Sequence, residues 1–295
     1  MIIAQRWRLP HVMHYVGLSL LLLFAWDVIV AVLYVVFGQR WLALTDLPMP
    51  LVGSALALFV SLRNNNAYAR WWEARTLWGA VVNTTRTFAR ELRLFMPAHP
   101  LRPVLIDLMV AYAHALRCHL RGQTPWDEIA RLLPPGVEER LRGASNVPDA
   151  LLAEIADRLS ALKSDGTLDT IALTAFDGSL TALGNAQGGT ERIKNTPLPR
   201  QYTVFPRVFV QVFCFLLPLA MVTDLGLATP LGSSLVGFIF LALDKVGADL
   251  ESPFANAVYD VPLTSITRTI EINLRQSAGH HDLPKPVVPV DGVLW

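Results

Sequence analysis

Hydrophobic residues fall into four blocks along the chain, separated by polar stretches. The first, Val16 to Phe37, reads VGLSLLLLFAWDVIVAVLYVVF and carries one charge, Asp27. As a helix rising ~1.5 Å per residue it reaches about 33 Å, enough for a hydrocarbon core of about 30 Å. A secretory signal would have a shorter apolar region followed by a small-residue cleavage site, and neither fits. The second block, Leu47 to Leu62, has no charge and runs straight into Arg63-Asn64-Asn65-Asn66-Ala67-Tyr68-Ala69-Arg70-Trp71-Trp72. No Gly or Pro interrupts it between Ser54 and Trp78, so the pattern predicts one long helix that leaves the apolar zone still wound. The third block, Val208 to Thr223, contains Pro218, and the fourth is Leu231 to Leu243. Asp224 to Pro230, with its Gly and Pro, predicts a tight turn between them. The pair is then a helical hairpin whose short arms extend by a turn or tilt.

The stretch between the second and third blocks is different material. It is charged and helical in period. Leu151, Leu152, Ile155, Leu159 and Leu162 make one apolar stripe. Thr124-Pro125-Trp126-Asp127 predicts a helix start with a Thr cap, and Pro134-Pro135-Gly136 a break. Strand alternation and internal repeats are absent, and Gly279 to Trp295 reads as extended. The prediction is an all-α chain with four transmembrane helices and a cytosolic helical region. Its segments are 1–79 with the first two membrane helices, 80–204 cytosolic, 205–248 with the last two, and 249–295 cytosolic.

Orientation follows from Lys and Arg, which concentrate on the cytoplasmic side. Arg6 and Arg8 precede the first span, and Arg40 stands alone between the first two. Arg63, Arg70, Arg75, Arg86, Arg90 and Arg93 follow the second, Arg192, Lys194, Arg200 and Arg207 precede the third, and the turn at 224–230 has none. Both termini and the middle region are expected inside. Trp7, Trp41, Trp71 and Trp72 fall near the boundaries, where amphipathic rings favour the interface.

Composition agrees. Of 295 residues, 53% are hydrophobic and 17% charged, against a soluble norm of about 25% charged. Mean hydropathy is +0.39. With 25 Lys+Arg against 24 Asp+Glu, the net charge of +1 provides no field to attract nucleic acid. Two cysteines, Cys118 and Cys214, cannot build a disulfide framework, and Cys214 reads as a small core residue.

Enzyme signals are thin: no phosphate loop, no Cys pair at metal spacing, no nucleophile elbow. His114 and His119 are five apart, which splits them across a helix, and His280-His281 beside the tail reads as solvated. No cofactor is expected. Asp27, a carboxylate inside a span, is a candidate functional group, but a buried partner for a neighbouring helix or an Arg is the preferred reading. The second block says more. Ser54, Leu58 and Leu62 are four apart and stack on one helix face, while Leu56, Phe59 and Val60 point elsewhere. Gly53, Ala55, Ala57 and Ser61 would permit close helix approach. Periodicity alone favours ordinary packing for Leu58 and Leu62. A helix whose apolar half continues as a polar one can also line a water-filled path.

The run Arg63 to Gly79, RNNNAYARWWEARTLWG, resembles the signature of the bestrophin family, whose vertebrate members share Arg70-Trp71-Trp72. Matching blocks follow in order: Gly188 to Ile193, Thr196 to Pro199 with Tyr202, Leu217-Pro218, Glu251 to Phe254, Asp260 to Leu263, and Glu271-Ile272. The resemblance covers about residues 5 to 276. It implies a homopentameric ion channel of the bacterial inner membrane, whose partners are itself, the lipid bilayer and its permeant ions. The second helix would line an apolar neck at Ser54, Leu58 and Leu62, and a cytosolic constriction would fall at Ile171. Rings of aliphatic side chains can gate by dewetting. The vertebrate neck is aromatic, whereas Ser and Leu stand here, so chloride and a monovalent cation both remain open. The vertebrate calcium clasp uses an acidic run after the Pro-Phe motif. Here Asp260 alone stands at a matching place, and a hard cation needs six or more oxygens, so no metal is assigned. A membrane scaffold without conductance is the alternative, since an apolar neck can equally be closed packing.

Overall fold

The structure, a computed structural model, describes residue 1 and residues 9–295, with side chains for Met1 and from Tyr15 onward. Arg6, Trp7 and Arg8, expected at the inner boundary, lie outside the described residues. The described chain is all-helical: α1 (Leu9–Val35), α2 (Met49–Phe95), α3 (Leu101–Arg121), α4 (Trp126–Ile129), α5 (Val137–Leu141), α6 (Val147–Ser164), α7 (Thr170–Asn195), α8 (Arg200–Leu225), α9 (Thr229–Leu250) and α10 (Leu263–Ser277). Among the described residues the β structure is one isolated bridge, Val290 to Val293. It lies in the otherwise extended tail, whose Trp295 carbonyl accepts the Ser265 amide at 2.7 Å.

Two compact units divide the chain, and α2 contributes to both. The apolar unit holds α1, α2 up to Arg70, and Pro197–Ser252. Tyr15–Val35 and Arg200–Leu250 are long and apolar enough to cross a membrane. The second stretch is the expected hairpin. Its arms, α8 and α9, are joined by a single 3-10 turn, Gly226–Ala228, with Gly226 at φ +52. Both arms run well beyond the apolar blocks, as the shortness of those blocks required.

Leu23, Met49, Leu56, Val60, Val210, Phe213, Cys214, Leu217 and Phe240 form the core of this unit. Cys214 is thus a packing residue. Gly237 lets α9 approach α1, because a Cβ there would collide with the Leu23 side chain. Pro206 and Pro218 sit inside α8 without ending it. A proline removes a helix hydrogen bond and loosens the turn before it. One turn before Pro218, the Trp26 indole of α1 stacks on Phe215 at 4.6 Å and donates to the Phe215 carbonyl at 2.9 Å.

The charged unit comprises Trp71–Thr196 and Pro253–Trp295, with Met1. Its stripe Leu151, Leu152, Ile155, Leu159 and Leu162 is buried on α6, as its period predicted. Phe176 of α7 is fully buried between Phe88 and Phe95, with ring centroids at 5.4 and 5.9 Å. Asn146 and Asp169 cap α6 and α7, accepting the amides of Asp149 at 3.3 Å and Ala172 at 2.7 Å. The expected Thr124 cap is not made. α4 starts at Trp126 and Pro125 occupies the cap position without a side-chain bond. Pro125 is already in the helical region, φ −88 and ψ −11, which moves Thr124 one residue outside the cap.

Candidate pore-lining surface

The first half of α2 has two faces of opposite character. Leu56, Val60, Arg63 and Ala67 are buried, and their spacing of four, three and four keeps them on one side of the helix. Leu56 and Val60 pack in the core with Val210, Phe213 and Leu217 of α8 and Phe240 of α9. On the other side Ser54 is exposed, Leu58 is 62% exposed and Leu62 52%. Asn65, Asn66 and Ala69 extend this exposed side. Phe59 is also exposed, flanking the face, while Ser54 returns its hydroxyl to the Pro50 carbonyl at 2.7 Å.

The stripe carries no charge because both arginines of the segment turn away from it. Arg63 is buried against Asp244 of α9, at 2.5 Å. Arg70 donates from Nε to the Glu251 carbonyl at 3.0 Å. What remains is apolar at Leu58 and Leu62, then amide-lined at Asn65 and Asn66. Such a surface can exclude ions where it is narrow and apolar, and re-solvate them where amides begin. Ile171, 78% exposed, belongs to the other unit. It stands in the first turn of α7, held by the Asp169 cap and by Lys163 Nζ bonding Thr170 Oγ1 at 2.8 Å.

Asp27 is fully buried in α1 and accepts from the Ser233 and Ser234 hydroxyls of α9 at 3.0 and 2.7 Å. Its partner is a neighbouring helix, which matches the plainer of the two sequence readings. Asp260 is buried in the loop before α10, where one carboxylate oxygen accepts the Ala257 amide at 3.0 Å. Burial pushes its pKa up, partly offset by backbone bonds from Ala257 and Asn256.

Two arrangements escaped the sequence reading. One is the Arg63–Asp244 pair. The other centres on His114, buried in α3, whose Nδ1 lies 2.9 Å from Glu128 and Nε2 3.3 Å from Glu271. An imidazole between two ionised carboxylates must donate from both nitrogens, so it is imidazolium. Burial pulls the His114 pKa down, but the bonds to both carboxylates outweigh it and leave it raised. Arg117 pairs with Glu128, and Arg131, Arg268 and Arg275 surround Glu271. His114 and Arg117, three apart, share a helix face and were a visible signal. Glu271 comes 157 residues later and was not. His119 faces Glu191 instead, at 3.7 Å.

Residues 6–276 match the family model described as Bacterial/Fungal Bestrophin protein. The chain belongs to the bestrophin family. It is 35% identical over 252 residues to a voltage-dependent anion channel-forming protein of Ralstonia nicotianae, covering 83% of this chain and 82% of that one. It is 32% identical over 291 residues to a protein of the same description from Salmonella typhi, covering 97% and 96%. Among solved structures, a bacterial bestrophin homologue from Klebsiella pneumoniae superposes with a TM-score of 0.87 at 34% identity, covering 90% of this chain and 99% of that one. The bestrophin match takes in every block that carried the resemblance, from Arg63 to Glu271.

Proposed function

We propose that this bestrophin is a subunit of a homopentameric ion channel in the bacterial inner membrane. It would conduct small monovalent ions passively, and it is a conduit rather than an enzyme. The observation that carries the reading is the uncharged exposed stripe Ser54, Leu58 and Leu62, opposite the packed face of the same helix. Five such stripes around an axis would form an apolar neck, and Ile171 would form a second constriction. Four helices would cross the bilayer, those of segments 1–79 and 205–248. Segments 80–204 and 249–295 and both termini would be cytoplasmic. The names of the relatives favour anions. The stripe itself has no charge to choose an ion, so selectivity must come from its surroundings.

The deciding experiment is the reversal potential of purified protein in a planar bilayer under a sodium chloride gradient. A value near the chloride equilibrium potential supports an anion channel, and one near the sodium potential assigns it to cations. Absence of any discrete conductance would overturn the channel reading.

A further inference from the structure

In the first half of α2 the buried face includes Leu56, Val60, Arg63 and Ala67, and Arg63 is the one charge on it. Arg63 is 3% exposed. Its Nη1 donates to the Asp244 carboxylate at 2.5 Å, and its Nη2 donates to the Asp244 backbone carbonyl. The next residue joins in, as Asn64 Nδ2 donates to the Leu243 carbonyl at 2.9 Å. Arg207 of α8 stands 3.8 Å from the second oxygen of Asp244. Gly247 lies three residues after Asp244, on the same face of α9. A Cβ at Gly247 would collide with Arg63 Nη2 and Nε and with Asn64 Oδ1. The guanidinium therefore occupies the space that the missing side chain leaves.

We propose that Arg63, Asp244 and Gly247 form a clasp that fixes the rotation of α2, and through it the side chains offered to the pore. This rests on Leu58 and Leu62 lining the neck. The aliphatic contacts of Leu56 and Val60 are non-directional and tolerate a turn of the helix. The clasp does not, because charge-assisted hydrogen bonds are directional and a buried guanidinium without its partner is strongly destabilising. Arg63 follows Leu62 directly, so the rotational lock sits next to the last neck position. Arg63, Asp244 and Gly247 are positioning residues: none belongs to the exposed stripe.

The test is thiol labelling on the full chain in lipid vesicles, with single cysteines Leu56→Cys, Leu58→Cys, Val60→Cys and Leu62→Cys and a water-soluble methanethiosulfonate. The native Cys118 and Cys214 are buried and set the background. With the clasp intact, Leu58→Cys and Leu62→Cys should react about tenfold faster than Leu56→Cys and Val60→Cys, since buried thiols react only through local opening. Arg63→Gln, which removes the charge and the two-armed guanidinium, and Gly247→Ala, which removes the space, should each shrink that gap to about threefold or less by freeing the helix to rotate. Arg63→Lys, which keeps one charged donor, should preserve most of it. An unchanged gap in both Arg63→Gln and Gly247→Ala overturns the clasp, as does its loss in Arg63→Lys together with retention in Arg63→Gln. Labelling needs no current, so the neck reading is judged separately: labelled Leu58→Cys and Leu62→Cys must block conductance, and if they do not, the neck fails while the clasp is still read.

Discussion

Replacing Glu128 with Gln removes one of the two carboxylates that hold the buried His114. In the native protein the hydrogen bond from His114 is the main influence that lowers the Glu128 pKa. Burial opposes it, Arg117 adds to it, and the value falls from 4.5 to about 2. That drop corresponds to ~3.4 kcal/mol at neutral pH if fully expressed. Glu128 is 42% exposed, so solvent screening reduces it to roughly 1–2 kcal/mol. The sign follows from the direction. A carboxylate with a depressed folded pKa stabilises above its unfolded value of about 4.5, and the contribution is lost as pH falls toward 2. His114, with a raised pKa, contributes fully below its unfolded value of about 6.5 and loses that contribution as pH rises through the raised value. The difference in Tm between native protein and Glu128→Gln should therefore be greatest between about pH 4.5 and 6.5 and amount to roughly 2–8 °C. It should shrink toward pH 3. Thermal unfolding in detergent, followed by far-ultraviolet circular dichroism across pH 3 to 9, measures it. A difference that widens below pH 4.5, or one that is flat across the whole range, refutes the coupling.

The remaining predictions concern the pore and the core. Leu58→Ala with Leu62→Ala should give a larger or less gated single-channel current, since both side chains are exposed in the subunit and would form the apolar ring. Unchanged conductance argues against the neck assignment. Ile171→Ala should leave Tm within about 0.5 kcal/mol equivalent, as exposed substitutions do, yet alter conductance or ion preference; a native current removes Ile171 from the pathway. Phe176→Ala, at a fully buried site touching Phe88 and Phe95, should cost about 3–5 kcal/mol and appear as a large fall in Tm. A loss under about 1 kcal/mol would mean that the site collapses around the truncation.

Much of this protein is local information, and local information is legible in sequence. The apolar blocks, the uninterrupted run from Ser54, the Gly226 turn and the α6 stripe are set by residue spacing and by Gly and Pro chemistry. They came out as α1, α2, the α8–α9 hairpin and the buried face of α6. Spacing also put Ser54, Leu58 and Leu62 on one face, because helical period is a property of the segment alone. Period could not tell which face would be covered. That was decided when Leu56 and Val60 found Phe213 and Phe240, more than 150 residues away in the chain. Thr124 shows the limit at close range, where one residue of shift in a helix start undoes a cap. Partner choice is harder still. Asp27 with Ser233 and Ser234, Arg63 with Asp244, and His114 with Glu271 each join groups that burial would penalise if left alone. A buried charge must be paired, but the sequence does not name the partner. Only the folded chain, by bringing distant helices within hydrogen-bond reach, determines it.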